Sequence, residues 1–443
     1  MKNNFNLKNI FGIIFVFLGL CFNRTVLEKI FSIYSVIELN YRLPLFPTSI
    51  ALIAFGLLLI LIKKENLTFE KIITNYKFLA ITLFSAFLLF VFANVLVYSL
   101  MMLKDIEIYK SQIFVADSQP LEPLYPSLSK SELNQFLRET WSRPYVYEPY
   151  TQFKERTFTG KYINVSEHGY RVVKDQGAWP PSKENINIFL FGGSTAFNYG
   201  VPENETIASR LQELLSTSSK KVCVYNFGRG NYFSSQERIL FQKLLSNSFI
   251  PDLAIFLDGL NDFYYVNDEP LFTENFRNYL DGKGTFVSGL PVFTFLNSLS
   301  HDKPLRHHRK EVQEIKYNDK NVLNDVIQRY AKNKKQIEAI AKEFNVKPIF
   351  IWQPVPTYKY DLKYHIFSGR GFGQFMYSKY GYEEMEKYVK AHDMGNNFFW
   401  LADMQENLKK PLYIDIDHYS PEMSKEIAMK IHEFLIPKNL MLN

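Results

Sequence analysis

Residues 78–103 contain no charged side chain, and no other feature restricts the possible folds as strongly. A helix over that stretch is long enough to cross a hydrocarbon core of about 30 Å. A water-soluble protein could hide it only inside a very large core. Two more apolar stretches precede it, at residues 10–22 and 46–62. The first is short for a span and, behind Lys2 and Lys8, also has the layout of a signal-peptide core. Leu18-Gly19-Leu20-Cys21 is laid out like a lipoprotein cleavage site, but Leu20 stands where a small residue is needed. Residues 1–103 are therefore expected to form a membrane region with two or three transmembrane helices. The lipid bilayer is the first expected partner.

Lys63 and Lys64 close the second stretch, and Lys71 and Lys77 precede the third. Lysine-rich short loops stay on the cytoplasmic side. The third helix then runs outward, whether the first stretch spans, lies flat or is cleaved. Everything after about residue 104 is expected outside the cytoplasm, in a multi-pass protein of a bacterial cytoplasmic membrane. The net charge of +6 is small for 443 residues. No dense Lys/Arg block alternates with aromatics, so nucleic acid is not an expected partner. Cys21 and Cys223 are the only cysteines, which indicates no disulfide framework.

From 104 to 185 the pattern is irregular, with prolines at 120, 123, 126, 144, 149, 180 and 181 among tyrosines and tryptophans. The stretch is too aromatic for a disordered linker. It reads as an extracytoplasmic arm packed on the following domain, with one short helix near residues 129–140.

After Ile186 short apolar runs alternate with helical patterns. Strands are expected at 186–191, 221–225, 253–257, 348–352 and 398–401. Helices are expected at 206–216, 235–246, 321–344, 383–389 and 421–435. Such an alternation implies a parallel sheet covered on both faces. An excursion at about 263–320, rich in Phe, Tyr and His, interrupts the rhythm and reads as a lid or binding loop. His301, His307 and His308 in it sit among Lys303, Arg306 and Arg309, a basic loop with no acidic residue spaced to complete a metal site.

In a parallel α/β sheet the loops at the carboxyl ends of the strands share one crevice. The loop after the first strand, Gly192-Gly193-Ser194-Thr195, exposes a serine hydroxyl. The second supplies Asn226-Phe227-Gly228-Arg229-Gly230-Asn231, and the third Asp258-Gly259-Leu260-Asn261-Asp262. Asp415-Ile416-Asp417-His418 stands just before the last helix. Serine, histidine and aspartate are the parts of a nucleophile, a base and an orienting group. Glycine N–H groups and an asparagine amide are suitable donors to an oxyanion. No Gly-Lys-Ser/Thr follows the glycine turn, so it is not a phosphate loop. Gln353, in Ile351-Trp352-Gln353-Pro354, is a candidate cleft residue, with a structural role as the equal alternative.

These blocks resemble the SGNH, or GDSL-type, hydrolases, in particular membrane-anchored members with a GGST nucleophile turn. The resemblance rests on Gly193-Ser194, on Gly259-Leu260-Asn261-Asp262 and on Asp415 to His418, in that order, and covers about residues 186–435. Asn164 to Arg171, with its Gly169-Tyr170-Arg171 end, is similar to a run upstream of such turns. The resemblance implies a three-layer, flavodoxin-like α/β domain over 186–443, with no cofactor and no metal. It also implies roles. Ser194 would attack an ester carbonyl, His418 would move the proton, and Asp415 would orient His418, with Asp417 the less suitable partner. The Ser194 N–H, an N–H from Gly230 or Asn231 and the Asn261 amide would hold the oxyanion. Two departures stand out. Gly193 replaces the family's aspartate, and Asn231 replaces the second-block glycine, which leaves the second donor open between Gly230 and Asn231. The expected activity is that of a membrane-anchored serine esterase acting on an oxygen ester of a cell-envelope carbohydrate. An O-acyltransferase with the same triad and a non-catalytic glycan-binding or assembly subunit are the alternatives.

Overall fold

The computed structural model describes residues 7–22, 26–27, 45–61, 69–118, 121–217, 221–280, 290, 292 and 316–437. Most of the expected excursion lies outside the described residues, including its basic histidine loop. The chain divides into two compact units, residues 1–111 with 272–312, and residues 112–271 with 313–443.

In the first unit, helices α1 (Leu7–Cys21) and α2 (Leu45–Leu61) form an antiparallel pair. Glycines let the backbones meet: a Cβ at Gly19 would stand 2.8 Å from the Ser49 carbonyl. Ser49 Oγ donates to the Gly19 carbonyl at 2.6 Å, and the Phe15 and Phe55 rings meet edge-on at 5.0 Å. Small residues and a hydroxyl at a close crossing are the usual means of joining apolar helices in lipid. Helix α3 (Phe69–Ser118) contains residues 76–100, with mean hydropathy 2.4 and no burial. Among the described residues it alone is long and apolar enough to cross a membrane. At 15 and 17 residues, α1 and α2 reach about 22 and 26 Å, short of a full hydrocarbon core.

The second unit is built on a five-stranded parallel sheet. Its strands are β5 (Ile186–Gly192), β6 (Val222–Asn226), β7 (Leu253–Asp258), β8 (Lys347–Trp352) and β9 (Phe398–Trp400), in spatial order β6-β5-β7-β8-β9. This is the flavodoxin-like order, whose direction of winding reverses beside the first strand. Alternation along each strand divides the core. Ile188, Leu190, Val224, Ile255 and Ile351 face Ile207 and Leu211 of α6 (Ile207–Leu215) and Ile427 and Ile431 of α12 (Pro421–Leu435). On the other face Phe227, Phe191, Phe256 and Phe350 stack in a row, with successive centroids 5.8, 4.8 and 5.3 Å apart. Phe241 of α7 (Ser234–Ser246) and Lys334 of α10 (Lys320–Glu343) cover that row. The three layers match the expectation, and strand bounds differ from it by a residue or less at either end.

Helix α11 (Met376–Ala391) begins well before the expected 383. Short helices that lacked a sequence signal occupy Ser194–Phe197 (α5), Leu260–Tyr264 (α8) and Thr273–Leu280 (α9). The first described residues of the expected arm continue helix α3 to Ser118, and from residue 121 the arm belongs to the same unit as the sheet. Its helix α4 (Lys130–Trp141) starts with a capping box, in which Ser129 and Glu132 satisfy each other's backbone N–H. Phe136 and Leu137 of α4 pack with Phe197 and Tyr199, which follow the Gly193–Ser194 turn. The hairpin β1 (Val146–Glu148) and β2 (Gln152–Lys154) comes next, then the short pair β3 (Phe158–Thr159) and β4 (Asn164–Val165). Arg171 bridges to Asn226 and so ties the arm to the sheet edge.

Candidate active site

Ser194 opens α5 directly after β5, the strand beside which the winding reverses. The turn is held from behind by Arg171, which is fully buried. Its guanidinium donates to the carbonyls of Phe197 and Asn198 at 2.6 and 2.5 Å and of Val201 at 2.5 Å. The Phe197 carbonyl ends a four-residue helix, where carbonyls lack intrahelical partners, and the Asn198 carbonyl also accepts the Val201 N–H at 3.1 Å. Burial draws the Arg171 pKa down to about 9, with Arg143 nearby adding to the effect.

A cleft of about 280 Å³ opens at the carboxyl ends of the strands. Ser194, Asn231, Asn261, Asp417 and His418 line it, together with Trp141, Arg143, Tyr145, Tyr199, Tyr264 and Phe375. Two stretches of chain more than two hundred residues apart thus meet on one wall. No hydrogen bond joins Ser194 Oγ to His418 among the described residues. Unliganded catalytic contacts are often long and tighten only around substrate.

The loop carrying the histidine is closed on itself. The Ile414 N–H donates to the His418 carbonyl at 2.9 Å, and the Ser420 N–H to the Leu412 carbonyl at 2.8 Å. Ser420 then caps α12, with Pro421 in its first turn. Inside this loop the three-residue offset folds back. Asp415 Oδ2 lies 2.7 Å from His418 Nδ1, while Asp415 Oδ1 accepts the N–H groups of Asp417 and His418 at 3.0 and 2.8 Å. Asp417 Oδ1 is farther from the same ring nitrogen, at 3.4 Å. With two carboxylates at Nδ1, that nitrogen carries the proton and Nε2 is left for the cleft.

The charges follow from this packing. Burial raises Asp415, but His418 and the two N–H groups outweigh it and hold its carboxyl below the ordinary value. Burial pushes Asp417 up to about 7, with Asp415 adding to the rise and His418 opposing it. Burial disfavours the His418 imidazolium, yet the two aspartates win and raise it to about 9. Asp415, Asp417 and His418 each place a ligand-type atom within 4.8 Å of the others. Because both carboxylates address one protonated ring nitrogen, the cluster reads as a hydrogen-bonded base rather than a metal centre.

Around Ser194 the donors divide clearly. The Gly230 N–H is taken: it donates to Glu155 Oε1 at 3.0 Å. Asn231 sits at φ +62°, a conformation Asn adopts more readily than most residues. Its side chain is held at both ends, Nδ2 donating to Tyr145 Oη at 3.0 Å and Oδ1 accepting from Tyr265 at 2.9 Å. Among the described residues neither the Asn231 N–H nor the Ser194 N–H has a protein acceptor. Of the two open candidates for the second donor, the geometry favours Asn231. Asn261 Nδ2 gives one hydrogen to the Tyr232 carbonyl at 2.7 Å and keeps the other for the cleft. A Cβ on residue 193 would collide with that amide, which accounts for the glycine before the serine.

Gln353 does not line the cleft. It is buried behind the Gly193–Ser194 turn, where its Oε1 accepts from Thr195 Oγ1 at 2.7 Å and Tyr419 Oη at 3.0 Å. The residues without a sequence signal are those of the arm. Trp141 stacks on Tyr199 at 5.4 Å and meets the His418 ring edge-on at 5.2 Å. Arg143 and Tyr145 complete the same wall, with Glu155 buried behind it. The arm's unusual aromatic content was the one available hint.

No protein-family model matches the chain, and neither does any curated protein. Similar solved structures include a lipolytic protein of the G-D-S-L family from Veillonella parvula, at 11% identity and TM-score 0.31, covering 56% of this chain and 96% of that one. The acetyl xylan esterase AlAXEase is similar at 14% identity and TM-score 0.32, covering 56% and 98%. The psychrotrophic esterase EstA from a Pseudoalteromonas species is similar at 11% and 0.30, covering 58% and 100%. At these values the likeness decides nothing about this chain's chemistry.

Proposed function

We propose that the protein is a membrane-anchored serine esterase of the SGNH type that deacylates an oxygen ester. The observation that carries this reading is the Asp415–His418 pair, joined at 2.7 Å, on the wall of the cleft that also holds Ser194. In the proposed reaction Ser194 Oγ bonds to the ester carbonyl carbon while His418 Nε2 takes the hydroxyl proton. The negative oxygen is received by the N–H groups of Ser194 and Asn231 and by the Asn261 amide. The C–O bond to the alcohol breaks, His418 returns the proton to that alcohol, and an acyl-Ser194 remains. Water, activated by His418, releases the acid and restores the serine.

An acylated cell-envelope carbohydrate is the proposed substrate. Trp141, 37% exposed, offers a flat apolar face of the kind that stacks on a sugar ring, and Tyr264 and Phe375 also line the cleft. The apolar residues 76–100 support an anchor in the bilayer, and the lysines before them support an external catalytic unit. The aromatic wall also suits a sugar acceptor, so O-acyl transfer is the second reading. The test is incubation of the full chain in detergent with an acetylated oligosaccharide, scoring acetate release against transfer to a second, unacetylated oligosaccharide. Release predominates if the esterase reading holds, transfer if the second reading holds, and Ser194→Ala removes either. Equal activity in Ser194→Ala refutes both.

A further inference from the structure

Glu155 lies on the arm after β2, far in sequence from every block that carries the chemistry, and its side chain is 1% exposed. Two residues of the cleft wall, Tyr199 and Arg143, and the Gly230 N–H beside Asn231 converge on it. Oε1 accepts from Tyr199 Oη at 2.7 Å and from the Gly230 N–H at 3.0 Å. Oε2 pairs with Arg143 at 3.4 Å. Arg143 is itself fixed to the end of α4, donating to the carbonyls of Glu139 and Thr140 at 2.8 and 3.2 Å.

Each contact reaches a working group by one further step. Gly230 is the residue before Asn231, so its bonded N–H anchors the Arg229–Gly230 peptide, one Cα away from the peptide that presents the Asn231 N–H. A Cβ at Gly230 would collide with the Tyr145 hydroxyl and stand 3.0 Å from that of Tyr199. The loop therefore comes close enough to Glu155 only as glycine. Tyr199 follows the nucleophile helix, and its ring lies 5.6 Å from that of His418. Arg143 lines the cleft, but its charge is paired with Glu155 and three of its N–H groups bond to the arm, so it is poorly placed to bind an anionic substrate.

We propose that Glu155 is a positioning residue of the active site: through the Gly230 N–H and the Tyr199 hydroxyl it aims the Asn231 N–H at the developing oxyanion. The proposal rests on the serine-esterase reading. What the site requires of residue 155 is an acceptor at a set reach, more than a negative charge. A buried acceptor shared by two donors is a stronger constraint than either bond alone. Held this way, the donor needs no reorganisation when the charge develops, which is where oxyanion stabilisation comes from.

Two variants separate this role from a plain ion pair with Arg143. Glu155→Gln keeps an oxygen at the same reach and loses the charge. Glu155→Asp keeps the charge and loses about one carbon–carbon bond of reach. The readout is kcat and KM for hydrolysis of p-nitrophenyl acetate by the full chain in detergent, with melting temperature recorded alongside. Glu155→Gln should lower kcat by about 3- to 5-fold. Glu155→Asp should lower it by about 100-fold, close to the loss of one oxyanion donor, with KM changed less than 3-fold. Should the aspartate variant not fold, Tyr199→Phe replaces it. That change frees Glu155 Oε1 from one of its two donors and should lower kcat by about 10-fold with KM unchanged. A glutamine variant that loses as much kcat as the aspartate variant overturns the proposal. So does wild-type kcat in Glu155→Asp, or in Tyr199→Phe where that variant is used. Wild type and Ser194→Ala run beside them: hydrolysis that is equal in those two refutes the esterase reading itself, whatever residue 155 does.

Discussion

Replacing Gly193 with alanine should leave the fold intact and remove most of the activity. The backbone at 193 has φ −78° and ψ −156°, ordinary extended geometry that alanine adopts without strain. The loss of unfolded-chain freedom favours the variant by about 0.4–1 kcal/mol. Against this, the new Cβ would overlap Asn261 Nδ2 and stand 3.0 Å from the Tyr232 carbonyl. The amide must swing away and give up its 2.7 Å bond to that carbonyl, which costs about 1 kcal/mol. The two terms nearly cancel, so the melting temperature should move by only a few degrees. The amide, however, no longer points where the oxyanion forms, and one lost donor corresponds to about 3 kcal/mol, or 10²–10³ in kcat. Asn261→Ala should show the same kcat loss by deleting the donor. The double variant should be no slower than Asn261→Ala, because alanine at 261 leaves room for alanine at 193. The assay is kcat with an activated ester, corrected for folded fraction. Wild-type kcat in Gly193→Ala, or fully additive losses in the double variant, would refute the placement of Asn261 as a donor beside Ser194.

Other consequences follow from the same geometry. General-base work needs a neutral imidazole, and two carboxylates raise His418 to about 9, so kcat/KM should climb through the alkaline range. Asp417→Asn removes a charge 3.4 Å from Nδ1, worth about 1 kcal/mol even at the dielectric of water. The acid limb of the pH profile should then move down by about one unit. Because Asp417 itself titrates near 7, the difference should be largest above neutrality, and a limb that stays put or moves up counts against the assignment. Trp141→Ala should raise KM for an acetylated oligosaccharide by about 10-fold while changing KM for p-nitrophenyl acetate less than 3-fold, if the exposed ring binds sugar. Equal effects on both substrates would assign Trp141 to packing on His418 alone.

Much of the domain was readable because its signals are local. The runs that became β5, β6 and β7 are short, apolar and bounded by glycine or polar turns, and burial on both faces leaves them little alternative. The loops after them carry Ser194, Asn231 and Asn261 because strand ends are where a parallel sheet exposes backbone donors. Asp415 and His418 were readable as a pair because a three-residue offset fits a closed loop. What stayed hidden depends on contacts across long separations. Nothing near Glu155 says that its carboxylate will take the Gly230 N–H, so the choice between Gly230 and Asn231 could not be made from the sequence. Gln353 stands at a strand end like the working residues. Only the arrival of Thr195 and Tyr419 on its carbonyl oxygen turns it into a strut. The early start of α11 was masked by Tyr377, Tyr380 and Gly381, residues of lower helix propensity, of which the two tyrosines pack against the aromatic cluster around Trp352.

The most direct measurement is the site of modification by a serine-directed fluorophosphonate. The full chain in detergent should gain one phosphonyl group, located by peptide mass spectrometry on Ser194. His418→Ala should slow the reaction by at least 10³-fold while leaving the melting temperature within a few degrees. A folded wild-type protein that stays unlabelled at Ser194, or labels as fast without the histidine, would contradict a nucleophile activated by that imidazole.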